Sequence, residues 1–412
     1  MSGTEVEGDM MSSDEPVPYP FPRPSALDVP AELRDLRDRP VIPVVLPSGD
    51  RAMLVTRYED VRSVLTNLKV SRNLNRPDAA RMTSNNKMFQ DERMDPDPPE
   101  HTRVRRLVMK AFTATMVENL RPKVQELVDE LVTKMQKGPC PADVSEAVAF
   151  PLSIRVICDL LGVPAEDQDR FRGWTDRFLS TGKYSGPEIG AAMAEISAYM
   201  GQLIEARRAR PGDDLISALT QVHEDDDTRL SEYELHWWCR LLLLVGYETT
   251  ASQIGYMVAK VLAHPDQLAR LRADLSLVPS AVEEVLRWKL LNGSLSMLRY
   301  VTEDIEVGGV TVPKGTSIIP AVESANWDEN VFSCPHEFDI GRAFNYHLTF
   351  SVGPHFCIGA SLARLEMQIV LETLLRRFHG LRLAVPADEL GRSEGTLIGG
   401  LLRIPVEWSA CA

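Results

Sequence analysis

From Tyr58 to about residue 290 the chain keeps returning to helical periodicity, and this run constrains its fold more than any other feature. Leu120, Val124, Leu127, Val128, Leu131 and Val132 fall at steps of three and four, which puts them on one helix face with acids and lysines opposite. Segments 99–112, 147–161, 165–180, 188–209 and 265–275 repeat the pattern. Such helices need a large shared core, and 412 residues can build one without disulfide staples. β-like runs flank the helical body at 41–46 and 51–56, around the turn Pro47-Ser48-Gly49-Asp50, and again at 305–312, 317–322, 380–385 and 400–408. The predicted fold class is mainly α with a smaller β-rich part. Residues 1–30, rich in Pro, Ser and acids, read as a flexible leader and 31–412 as a single domain.

Charge and hydropathy remove several function classes. Lys and Arg number 45 against 59 Asp and Glu, a net charge of −14 that disfavours nucleic-acid or anionic-membrane binding. The longest apolar stretch, 241–246, falls far short of the roughly 18 residues a membrane span needs. The acidic, polar start has no secretory pattern, so a cytoplasmic location is expected. Six scattered cysteines with no Cys-x-x-Cys read as reduced thiols, at least one of which has a task.

The candidate is Cys357. A Gly- and Pro-containing loop, Phe350-Ser351-Val352-Gly353-Pro354-His355-Phe356-Cys357-Ile358-Gly359, delivers it to the start of an amphipathic helix, whose N-terminus favours a thiolate. Glycines at 353 and 359 leave room for a flat object against the backbone. One anionic sulfur facing a planar cofactor is the proximal arrangement of a haem-thiolate iron. An inert buried cysteine is the alternative, as is a zinc site drawn from Cys334, His336, His347, His355 and Cys357. The spacing of that set lacks the tight pairs of zinc modules.

Three further segments carry polar groups where they are costly or paired. Ser231 and Glu234 form a capping-box signature for a helix that is apolar nearly all round to Val245 and runs to about Leu262. Inside it, Gly246-Tyr247-Glu248-Thr249-Thr250 predicts a local bulge and sets an acid beside an alcohol, able to pass protons inward. Glu284 and Arg287, three apart, share a helix face. His101 and Arg105, four apart after Pro98-Pro99, suit an anionic group.

Together these segments resemble the cytochrome P450 family of haem-thiolate monooxygenases, of the soluble bacterial class that tailors secondary metabolites. The resemblance implies the cytochrome P450 fold, haem b as cofactor, and Cys357 as axial ligand of the iron with Phe350 near the sulfur. It implies that His101, Arg105, Arg299 and His355 hold the haem propionates and that Gly246 borders the haem. Glu284, Arg287 and Arg342 would form a structural triad, and Glu248 with Thr249 the catalytic pair beside the oxygen site. Val245, Gly293, Ser294, Leu295 and Ile398 would line the substrate pocket. Val245, Ser351 and Trp327 depart from the usual family residues, the first altering pocket shape.

The implied reaction activates O2 to hydroxylate or oxidatively couple a small-to-medium specialised metabolite. Electrons would come from a separate ferredoxin and ferredoxin reductase, docked on Arg103, Arg106, Lys110, Arg364, Arg376 and Arg377. The alternative is a haem-based sensor or carrier without turnover, which would have no use for Glu248 and Thr249. The polar stretch 71–95, with Met82, Met88 and Phe89, reads as a lid over the substrate.

Overall fold

The computed structural model describes residues 15–82, 94, 96–224, 230–288, 291 and 297–409. Its helices are α1 (Glu32–Asp35), α2 (Tyr58–Thr66), α3 (Glu100–Ala111), α4 (Ala114–Asn119), α5 (Arg121–Lys137), α6 (Phe150–Leu161), α7 (Gln168–Phe178), α8 (Gly186–Ala209), α9 (Leu215–Glu224), α10 (Glu232–Gly246), α11 (Glu248–Leu262), α12 (Pro265–Ala273), α13 (Val278–Trp288), α14 (Val322–Ala325) and α15 (Ala360–Arg377). The predicted Ser231–Glu234 capping box opens α10, and a second box, Ser185 with Glu188, opens α8. α11 runs through the centre: every residue from Thr250 to Leu262 is buried, packed against α6, α13 and α15. One apolar cluster reaches from Ala26 to Trp408 around it.

The strands are β1 (Val17–Pro18), β2 (Ile42–Val45), β3 (Arg51–Val55), β4 (Val70–Ser71), β5 (Ala142–Asp143), β6 (Arg299–Val301), β7 (Ile305–Val307), β8 (Val310–Val312), β9 (Ser317–Pro320), β10 (Arg382–Leu383) and β11 (Pro405–Glu407). The run 305–312 is a hairpin, because Gly308 and Gly309, at φ of 56° and 82°, take the left-handed conformations its turn requires. A mixed sheet orders β1-β2-β3-β9-β6-β4. In it β9 sets Ile318 opposite both Met53 and Arg299, and Ser71 opposes Tyr300. These pairings bring residue 72 beside residue 299, across more than half of the sequence.

Two expectations need correction. Residues 15–30 are part of the packed body: Val17 and Pro18 pair parallel with Val44 and Val45, Tyr19, Ala26 and Leu27 are buried, and Arg23 grips Glu323 through two 2.7 Å bonds. The composition of the segment is polar, but its few aromatics find partners on the sheet. Cys140 is disulfide-bonded rather than a reduced thiol, whereas Cys158, Cys239, Cys334 and Cys357 are free. Of the stretch read as a lid, Met82 is buried, and Met88 and Phe89 lie outside the described residues.

Candidate active site

The cysteine loop is shaped by its backbone. Ser351 N–H donates to Leu348 O at 2.8 Å and Phe356 N–H to Gly353 O at 3.1 Å, while Cys357 N–H donates to Phe350 O at 2.8 Å. Ser351 and Gly353 turn the chain with φ of 61° and 70°. A Cβ on Gly353 would press on Thr66 of α2 at 3.1 Å, whereas one on Gly359 would meet nothing within 4 Å. Cys357 therefore stands just before α15, accessible yet deep in the protein mass. Burial pushes its thiol up, opposed by the N–H groups of Gly359 and Ala360 and the cations of Arg105 and Arg364. The upward influence wins in the free thiol.

Beside the sulfur lies a concentration of cations. His101 and Arg105 project from α3 and Arg299 from β6. The His101 and His355 rings sit 4.2 Å apart, and Arg105 donates to the carbonyl of Phe356. Arg72, at the end of β4, joins them, its Nη1 3.4 Å from His355 Nδ1. Burial and the neighbouring Arg72 hold Arg299 well below the usual guanidinium range. Burial, Arg72, His101, Arg299 and Arg105 push His355 down to about 2. Asp97, which accepts from Ser71 Oγ and Arg72 N–H, is the carboxylate that offsets Arg72 and Arg299. Desolvated positive charge in excess is costly unless an anion shares the space. A planar group carrying two carboxylates fits these donors, and the accessible thiol beside them fits its metal.

Sequence reasoning missed Arg72 because the polar composition of 71–95 suggested a lid. The pairing that places it, Ser71 with Tyr300, is long-range and leaves no local trace. Only the β-branched Val70 ahead of it hinted at a strand.

The predicted central helix breaks at Tyr247, separating α10 from α11. Thr249 Oγ1 donates to Val245 O at 2.8 Å and Thr250 Oγ1 to Gly246 O at 3.4 Å, which ties the hydroxyls to the disturbed turn. Glu248 is pushed up to about 7 by burial and by Asp176, against Arg172 and Lys183. Asp176 itself accepts from Tyr184 Oη at 2.5 Å and Lys183 Nζ at 2.8 Å. The missing side chain of Gly246 is matched by Ile157, whose Cδ1 lies 2.8 Å from where a Cβ would stand, so the glycine lets α6 approach. Val245 and Ile398 are half-buried; Gly293, Ser294 and Leu295 lie outside the described residues.

Glu284, Arg287 and Arg342 come together. The Glu284 carboxylate accepts from Arg287 Nε and Nη2, both at 2.8 Å, and from Arg342 Nε at 3.0 Å. Asn345 Nδ2 and Asp339 N–H add bonds of 3.1 Å each. Arg287 also donates to Asn326 O at 2.9 Å, and Trp327 packs edge-on to Trp288. The residues of the zinc alternative are instead sent to different neighbours: His347 to Glu283, His336 to Trp327 and His355 to Arg72. Among the described residues no three His, Cys, Asp or Glu gather as a metal site. No helix there is long and apolar enough to cross a membrane.

A single cysteine at a helix start, flanked by cations for an anionic planar group, in a chain whose central helix breaks at an acid–alcohol pair, describes a haem-thiolate oxygenase. The family model for cytochrome P450 matches residues 183–388. Nocardicin C N-oxygenase of Nocardia uniformis subsp. tsuyamanensis is 42% identical over 393 residues, 95% of this chain and 98% of that protein. Mycinamicin IV hydroxylase/epoxidase of Micromonospora griseorubida is 42% identical over 401 residues, 97% and 100% of the two chains. The crystal structure of the LnmA cytochrome P450 hydroxylase from the leinamycin pathway of Streptomyces atroolivaceus superposes with a TM-score of 0.86 at 40% identity, covering 95% of this chain and 100% of that one. The chain belongs to the cytochrome P450 family, with haem as its cofactor and monooxygenation as its activity. The sensor alternative finds no support among these relatives.

Proposed function

We propose that this enzyme oxidises a specialised metabolite of the size handled by its relatives, chiefly by inserting one oxygen atom, with Cys357 as the axial ligand. The observation that carries this reading is the accessible Cys357 thiol set beside an excess of buried cations. Haem, when bound, supplies the oxygen activation. His101, Arg105, Arg299 and His355, with Arg72, would bind and orient its propionates. Glu248, held near neutrality, would take protons from the Asp176 side and pass them toward the Thr249 hydroxyl. Val245 and Ile398 would shape the apolar wall that orients substrate.

Electrons would come from a separate ferredoxin and its reductase in the cytoplasm. Of the basic residues considered for docking, Arg103, Arg364 and Arg376 are held by Glu234, Glu283 and Glu372. Arg377 donates to Thr133 and Gln136, and Arg106, exposed on α3, is the best candidate.

The test is a difference spectrum of the reduced, carbon-monoxide-bound protein. A thiolate-haem Soret band is expected, lost in Cys357→Ala and retained in Cys334→Ala; a band that survives Cys357→Ala overturns the reading. Product mass with nocardicin- and mycinamicin-type compounds then separates a gain of one oxygen from loss of two hydrogens.

A further inference from the structure

Glu283, next to the triad carboxylate, belongs to a different network. Arg364 of α15 meets it side-on, Nε to Oε1 at 2.7 Å and Nη2 to Oε2 at 2.8 Å. His347 Nε2 lies 3.1 Å from the same Oε2, and Thr349 N–H donates to His347 Nδ1 at 3.3 Å. With Nδ1 accepting, the imidazole is the Nε2–H tautomer and donates to Glu283. The histidine side chain is only 2% exposed, so it cannot swing away. Burial pushes the Glu283 carboxyl up, but the bonds from His347 and Arg364 outweigh it and hold the group at about 2. It is an anion throughout the working pH range.

These charges converge on one ring. The Arg364 guanidinium carbon lies 4.6 Å from the centre of the Phe350 ring, and the His347 ring centre 6.1 Å from it. The carbonyl of Phe350 accepts from the backbone N–H of Cys357, so the ring that Arg364 covers and the cysteine are tied into one short loop. A cation stacked on an aromatic face is held in orientation as well as attracted.

We infer that Arg364, Glu283 and His347 form a clamp that positions Phe350 against the cysteine loop and sets the charge felt by the thiolate. Arg364 and Glu283 are positioning residues whose opposite charges act on the iron through Cys357. The inference rests on Cys357 being the axial ligand.

Spectroelectrochemical titration of the haem-loaded protein tests it. Removing the cation in Arg364→Leu favours the ferric state, so the ferric/ferrous potential falls. Glu283→Gln leaves Arg364 less neutralised, so the potential rises. Arg364→Lys keeps the charge but not the planar stack; its potential stays near the parent value while the thiolate Soret band is lost faster on mild warming. Shifts of the same sign in Arg364→Leu and Glu283→Gln, or no shift in either, overturn the inference. Failure of the ligand assignment would look different: the band would survive Cys357→Ala.

Discussion

Two polar regions of the molecule are built by opposite means. Around Glu284 the structure is charge locked in place: Glu284 and Arg287 are wholly buried, and the Glu284 carboxylate accepts from Arg287, Arg342, Asn345 and Asp339. In the second region α10 and α11 part at Tyr247, and the hydroxyls of Thr249 and Thr250 bond to the turn behind them. The Glu284 region loses hydration on folding and offsets that cost with hydrogen bonds from four residues to one carboxylate. The Tyr247 region keeps a carboxyl raised to about 7 and a disturbed turn, features that cost stability and are the kind found where protons move. Rigidity is placed in the one region and adjustability in the other.

The contrast predicts effects of different kinds. Glu284→Ala leaves two buried guanidinium groups without their carboxylate, at a cost of about 3–5 kcal/mol, a large share of the roughly 5–15 kcal/mol of a typical domain. Little folded, haem-loaded protein should form, as judged by yield and the Soret-to-protein absorbance ratio. Near-normal loading would break the comparison. Glu248→Gln should instead fold and load normally but lose about 10²-fold in product formation. In the parent, turnover falls as pH rises through about 7 and Glu248 loses its proton. A flat pH profile in the Gln variant is the expected outcome.

Gly246→Ala places a methyl against Ile157 and should cost about 1–3 kcal/mol by thermal unfolding, partly recovered by Ile157→Val. The last effect shows only in the pH dependence of stability and concerns Glu366 on α15, fully buried, accepting from Ser153 Oγ at 2.8 Å and pushed up to about 8 by burial. Its folded pKa lies above its unfolded one, so the folded state holds an extra proton between about 4.5 and 8. Stability therefore declines as pH rises through that window, by at most about 1.4 kcal/mol per pH unit. Glu366→Gln should remove that slope from the melting temperature while keeping the bond to Ser153.

The helices were legible because a period of 3.6 is a local property: 120–135 became α5 and 99–112 became α3 with ends shifted by a residue or two. The cysteine loop and the acid–alcohol pair were legible because each lies within one short stretch. Arg72 was not, and neither was Glu283, whose task is set by His347 and Arg364, 64 and 81 residues away. The packing of residues 15–30 was misread for the same reason, since nothing in a Pro-rich segment announces the strand it will join.

The sequence alone determined the cofactor class, the thiolate position and the place of the helix break, because a single cysteine, its turn-forming neighbours and buried polar residues are local chemistry. Only the tertiary structure decided which cations gather beside Cys357 and which charges meet over the Phe350 ring. Those groups come from β4, β6, α3, α13 and α15, and their meeting depends on strand register and helix packing across long loops.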